Sequence, residues 1–164
     1  MDIKFSEDNL KKLEAIKEHY PVSSAALMPA LWLVQKQFGW ISEDTMKYIS
    51  KLLDIPSEQI YGVVKFYTML NSVPKGKFHL EVCTNISCML RGSYDILKYI
   101  SEKLNISSGE TTPDGMFTLN EVECLGSCGT APAMQVNDHY EENLNKEKID
   151  KIIESLSMKT DKNP

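Results

Sequence analysis

Apolar residues in the first half of the chain recur every three or four positions, the period of a helix with one buried face. Leu10, Leu13 and Ile16 define one such face, which stops near Tyr20-Pro21. Leu27, Leu31, Val34 and Phe38 define a second, and Gly39 stands where a helix-ending glycine is expected. Pro29 falls early in this helix and is expected to cost one backbone hydrogen bond or a mild kink. Ser42 can cap a third helix, with Glu43 and Asp44 in its first turn and Met46, Ile49 and Leu53 as its stripe. Pro56-Ser57 opens a fourth, with Ile60, Val64 and Tyr67 inward. Stripes of this kind are core positions.

The pattern changes near Pro74. Phe78, Leu80 and Val82 alternate with His79 and Glu81, which predicts a strand over residues 77–83. Leu90, Tyr94, Leu97, Ile100 and Leu104 then predict a single helix beginning near Ser87. Thr112-Pro113-Asp114-Gly115 has the chemistry of a turn. Residues 116–123 read as extended, and the shift of apolar parity from Phe117 and Leu119 to Val122 predicts a bulge or break. Met134 and Val136 mark a short strand, with Asn137-Asp138 as a hairpin turn into His139-Tyr140. Ile149, Ile152, Ile153 and Leu156 mark a closing helix, and Lys159 to Pro164 should be a loose tail. The expected organisation is a four-helix bundle over residues 1–74 and an α/β layer domain over residues 75–164.

Composition narrows the function classes. The 164 residues are 42% hydrophobic and 25% charged, enough for a packed core without disulfide staples. The net charge is −5, and the cations are scattered lysines plus one arginine, Arg91, so nucleic acid is not the expected partner. No stretch has the length of apolar sequence that spans a bilayer, and the N-terminus lacks the basic and apolar segments of a secretory signal. A reducing cytosol is the expected compartment, where cysteines serve metals or catalysis more often than disulfides.

The chemistry rests on Cys83, Cys88, Cys124 and Cys128, a C-x4-C pair and a C-x3-C pair with 35 residues between them. Each pair follows a predicted strand end, where the loops of an α/β sheet gather into sites. Four thiolates from two loops suit zinc or an iron–sulfur cluster. The wider loops favour a [2Fe–2S] cluster, which needs two thiolates per iron, but spacing leaves zinc open. A thioredoxin-type dithiol is disfavoured because there is no C-x-x-C. Cys88 near a helix start, and Gly126 and Gly129 beside Cys128, would supply backbone N–H groups to sulfur. No dinucleotide fingerprint, P-loop or nucleophile elbow is present, so no catalytic nucleotide or substrate site is expected. His19, His79 and His139 are isolated from the cysteines, and Glu121 and Glu123 alternate along a strand without forming an acid/base pair.

Several stretches resemble one family closely. They are Val82-Cys83-Thr84, Cys88-Met89-Leu90-Arg91-Gly92, Thr112-Pro113-Asp114-Gly115-Met116-Phe117, Val122-Glu123-Cys124-Leu125-Gly126-Ser127-Cys128 and Ala131-Pro132. In the helical part the likeness extends to Tyr20-Pro21, Ala26-Leu27-Met28-Pro29, Gly39-Trp40-Ile41 and the run from Tyr61 to Thr68. The chain is similar to the thioredoxin-like [2Fe–2S] subunits of NADH:quinone oxidoreductase, the 24 kDa subunit family of complex I. Relatives serve NAD-linked hydrogenases and formate dehydrogenases.

The resemblance implies a helical bundle followed by a thioredoxin-like domain. Cys83 and Cys88 would hold one iron, and Cys124 and Cys128 the other. The cluster would exchange single electrons with FMN on a neighbouring subunit that oxidises NADH, and the large iron–sulfur subunit would be a second partner. The helical bundle would form much of the docking surface. The chain would then be a respiratory-chain subunit with no catalytic residues of its own, peripheral on the cytoplasmic face of the inner membrane. Alternatives are the gamma-type subunit of a hydrogenase or formate dehydrogenase, and a structural zinc scaffold. Arg91 would pair with a partner, offset cluster charge, or be an ordinary surface arginine.

Overall fold

A computed structural model of the chain describes residues 3–158, so the expected loose tail from Lys159 to Pro164 lies outside the described residues. The chain parts after Pro74 into two compact units. The first contains α1 (Glu7–Glu18), a 3-10 turn (Ser23–Ala26), α2 (Leu27–Phe38), α3 (Glu43–Leu53) and α4 (Ser57–Phe66). Local chemistry sets the boundaries. Ser6 Oγ accepts the Asn9 N–H at 3.2 Å to start α1, and Ser42 Oγ accepts the Thr45 N–H at 3.1 Å to start α3. Gly39 ends α2 in the left-handed region.

The stripes meet in one core, with Leu13, Leu31, Val34, Ile49, Leu53 and Ile60 fully buried. Two predicted inward positions are exposed. Leu10 lies at the margin of the narrow α1 stripe, which buries only Leu13. Tyr67 is exposed because the backbone turns extended there, so the helical phase from Ile60 and Val64 ends at Phe66. Pro29 costs α2 no internal bond, since it sits in the first turn, whose N–H groups have no partner within the helix.

The second unit contains β1 (Phe78–Cys83), α5 (Ile86–Leu90), α6 (Ser93–Leu104), β2 (Phe117–Val122), β3 (Met134–Val136), β4 (His139–Glu141) and α7 (Lys146–Met158). The sheet order is β2-β1-β3-β4, with β1 and β2 parallel and the other pairs antiparallel. Leu80, Val82, Leu119 and Met134 pack with Ile96 and Ile100 of α6 and with Ile149 and Ile153 of α7. Asn137, at φ 52°, makes the two-residue turn that pairs Val136 with His139.

Two expectations fail here. The single helix predicted through Leu90 and Tyr94 is broken at Arg91-Gly92, where Gly92 takes φ +88°. The break rotates the apolar phase, so Leu90 is 76% exposed and Tyr94 is exposed too, while Ile96 and Ile100 carry the core. The predicted bulge in β2 is absent: β1 and β2 keep register from Phe78↔Phe117 to Cys83↔Val122. The alternation fails because the strand outruns its core at Leu119, and the three residues beyond are half-buried or exposed.

Candidate metal centre

Parallel register sets the site. Cys83 is the last residue of β1 and lies opposite Val122, the last of β2, so the chain leaves both strands at one end of the sheet. The ladder continues through Thr84, whose N–H donates to the Val122 carbonyl at 3.1 Å, while Cys83 N–H donates to Ala133 O at 3.1 Å. After β1, Asn85 caps α5, its Oδ1 accepting the Ile86 N–H at 2.9 Å, and Cys88 is the third helical residue. After β2 comes the loop with Cys124, followed by a 3-10 turn from Cys128 to Thr130.

All four cysteines line one pocket, together with Asn85, Ser87, Leu125, Ser127 and Ala133. They are free thiols, with Cys83 and Cys88 buried and Cys124 and Cys128 exposed. Among the described residues, no three His, Cys, Asp or Glu groups are placed to hold a single metal ion. Burial pushes the Cys88 thiol up, and the Cys83 and Cys128 sulfurs push it the same way, while a hydrogen bond from the Ala133 N–H opposes them. Gly126 N–H donates to Cys124 Sγ at 3.3 Å. The Cys124 sulfur thus accepts a backbone N–H group, an interaction that favours negative charge on a thiolate.

The three histidines, read in the sequence as standing apart from the cysteines, do not line the pocket. His19 Nδ1 lies 2.6 Å from Ala15 O, and His139 is exposed on β4. His79 is buried, with Nε2 3.2 Å from Asn120 Oδ1. Arg91 ends α5 and is exposed. Glu121 and Glu123 form no acid/base pair, but they have a role that alternation did not reveal. Glu121 accepts the Thr84 hydroxyl at 2.7 Å, and Glu123 accepts the Asn85 amide at 2.8 Å. They tie the first cysteine loop to the second, a contact visible only once β1 and β2 are paired.

The family model for the thioredoxin-like [2Fe–2S] ferredoxin matches residues 13–157. An NADH-quinone oxidoreductase subunit from Rickettsia typhi is 44% identical over 92% of this chain and 90% of its own. Its counterpart from Rhizobium meliloti is 42% identical over 89% and 87%. Among solved structures, an NAD⁺-reducing [NiFe]-hydrogenase aligns with a TM-score of 0.72 at 19% identity, a likeness of fold. That alignment covers 84% of this chain and 24% of the hydrogenase chain. By the match across both of its units, the chain belongs to the thioredoxin-like [2Fe–2S] ferredoxin family.

Proposed function

We propose that this chain is an electron-transfer subunit of an NADH:quinone oxidoreductase, carrying one [2Fe–2S] cluster on Cys83, Cys88, Cys124 and Cys128. The observation that carries the reading is the single thiol-lined pocket at the shared end of two parallel strands. The lining offers four thiols and no histidine or carboxylate, a donor set that suits iron–sulfur chemistry. Such a cluster, when bound, supplies reversible one-electron storage.

The chain's own residues supply the setting. The buried Cys83 and Cys88 keep one side of the centre from water. The Gly126 N–H stabilises negative charge on the Cys124 sulfur, which would raise a cluster's potential. Cys124 and Cys128 face outward and form the side from which an electron enters or leaves. The donor and acceptor is FMN on the NADH-oxidising subunit, with the large iron–sulfur subunit as second neighbour. Residues 1–74 serve as the docking bundle and residues 75–164 as the cluster domain. No helix among the described residues is long and apolar enough to cross a membrane, and the proposed place, peripheral on the cytoplasmic face, would be held through the partner subunits.

The test is iron and acid-labile sulfide per chain on anaerobically purified protein, with an EPR spectrum after dithionite reduction. Two irons, two sulfides and a rhombic S = 1/2 signal are expected. One zinc without sulfide would replace this reading with a structural scaffold.

A further inference from the structure

The loop that carries Cys124 and Cys128 has almost no secondary structure of its own, only the three-residue turn Cys128–Thr130. Both of its thiols are exposed, so core packing does not fix them as it fixes Cys83 and Cys88. The segment after β3 holds this loop instead. One oxygen of Glu142, Oε1, meets the hydroxyls of both Ser127 and Thr130, the latter at 2.7 Å. The two hydroxyl oxygens are themselves 2.7 Å apart, so two hydrogens serve a triangle of three oxygens with Cys128 between its corners in sequence.

Other bonds hold the same two segments together. The Tyr140 hydroxyl donates to Leu125 O at 2.9 Å. Asn143 N–H donates to Thr130 O at 2.7 Å, and Leu144 N–H to Pro132 O at 3.0 Å. Lys148 of α7 holds the strap from behind, with Nζ donating to Glu142 O at 2.8 Å and pairing with Glu141 at 3.0 Å. The Ser127 and Thr130 hydroxyls hold the Glu142 carboxyl below the usual carboxylate range, so it stays an acceptor at neutral pH.

We propose that Glu142 is a positioning residue of the metal centre: its carboxylate bridges Ser127 and Thr130 and so presents Cys128 to the other three thiols. The inference rests on the reading of the four cysteines as cluster ligands. Ligands on a mobile loop hold a centre poorly, and residues outside the ligand set that lock their geometry are a general requirement. Glu142 is 14 residues beyond Cys128 in the chain, and only the β3–β4 hairpin brings it back.

The test uses the full chain in four forms: the parent, Glu142→Ala, Glu142→Gln, and the pair Ser127→Ala with Thr130→Val. Iron release to a ferrous chelator, the reduced-state EPR spectrum and amide exchange over residues 125–131 are measured on each. Glu142→Ala and the paired variant should release iron roughly ten-fold faster, with altered g-anisotropy and unchanged far-UV circular dichroism. Glu142→Gln keeps an oxygen acceptor at the same place and should stay within about two-fold of the parent. Iron release at the parental rate from Glu142→Ala overturns the proposal, and so does release from Glu142→Gln as fast as from Glu142→Ala. If Glu142→Ala does not fold, the paired variant decides by the same criterion. A parent without iron or sulfide would refute the cluster reading instead. Amide exchange in the metal-free chain then decides the strap alone: faster exchange in Glu142→Ala supports it, and unchanged exchange overturns it.

Discussion

His79 leaves β1 on the face opposite Leu80 and Val82, and its neighbours define its chemistry. Asn120 Oδ1 is an acceptor only and takes a hydrogen from Lys75 Nζ at 3.4 Å, so the His79 Nε2 beside it carries the ring hydrogen. Nδ1 then lies 3.8 Å from Glu81 Oε2. Burial pushes the imidazole down to about 4, with Lys75 adding to the effect and the Asn120 hydrogen bond opposing it. The unfolded chain takes this proton near pH 6.5 and the folded chain only near 4, so folding stability falls as pH drops between them. The loss attributable to His79 amounts to at most ~3 kcal/mol. Burial raises the Glu81 carboxyl, which works in the opposite direction on acidification. The expected outcome is therefore a difference: parent minus His79→Gln unfolding free energy should decline from pH 7 to 4. A flat difference in urea titrations would contradict it. Among single residues, the gathering of the four cysteines in one pocket was legible because each pair follows a strand end. Glu121, Glu123 and Glu142 were not, because a carboxylate's partner is set by strand pairing and hairpin reversal.

Helices and strands were read well wherever one neighbour defined their buried face. The stripes of α3 and α7 occupy the predicted positions. They failed where backbone conformation interrupts the period, as at Gly92 between α5 and α6 and at Tyr67 after α4. Such breaks leave few marks in a hydrophobic pattern, although Gly92 was a visible candidate. The approach to β1 depends on another glycine. A Cβ on Gly76 would stand 2.9 Å from the Phe117 carbonyl carbon and 3.0 Å from its nitrogen, both backbone atoms of β2. Gly76 N–H also donates to Thr118 Oγ1 at 2.6 Å. Gly76→Ala should therefore cost about 1–3 kcal/mol by forcing the start of β2 aside. Chemical denaturation measures the cost, and an unchanged midpoint would count against the close approach. Because both cysteine loops hang from the β1–β2 pair, the same variant should also hold iron less well.

Each of the two units has its own core, one built from helices alone and one around the sheet. Residues 75–164 expressed alone should thus bind two irons and two sulfides, and residues 1–74 alone should melt cooperatively by circular dichroism. A fragment 75–164 that cannot hold iron would make the helical unit part of the site. The change of pattern near Pro74 and the clustering of cysteines beyond it made this division readable. The parallel pairing of β1 with β2 was less so, since two short strands can pair either way until a helical connection links them.

That parallel pairing also sets the order in which the protein matures. The two cysteine pairs are separated by 35 residues, and the crossover through α5 and α6 must close before they share a pocket. Before that closure the chain holds two separate thiol pairs, each too few for the proposed four-thiolate centre. On the proposed ligand set a complete centre can form only once the sheet has closed, so the cluster content of a preparation would report the fraction of copies that have folded.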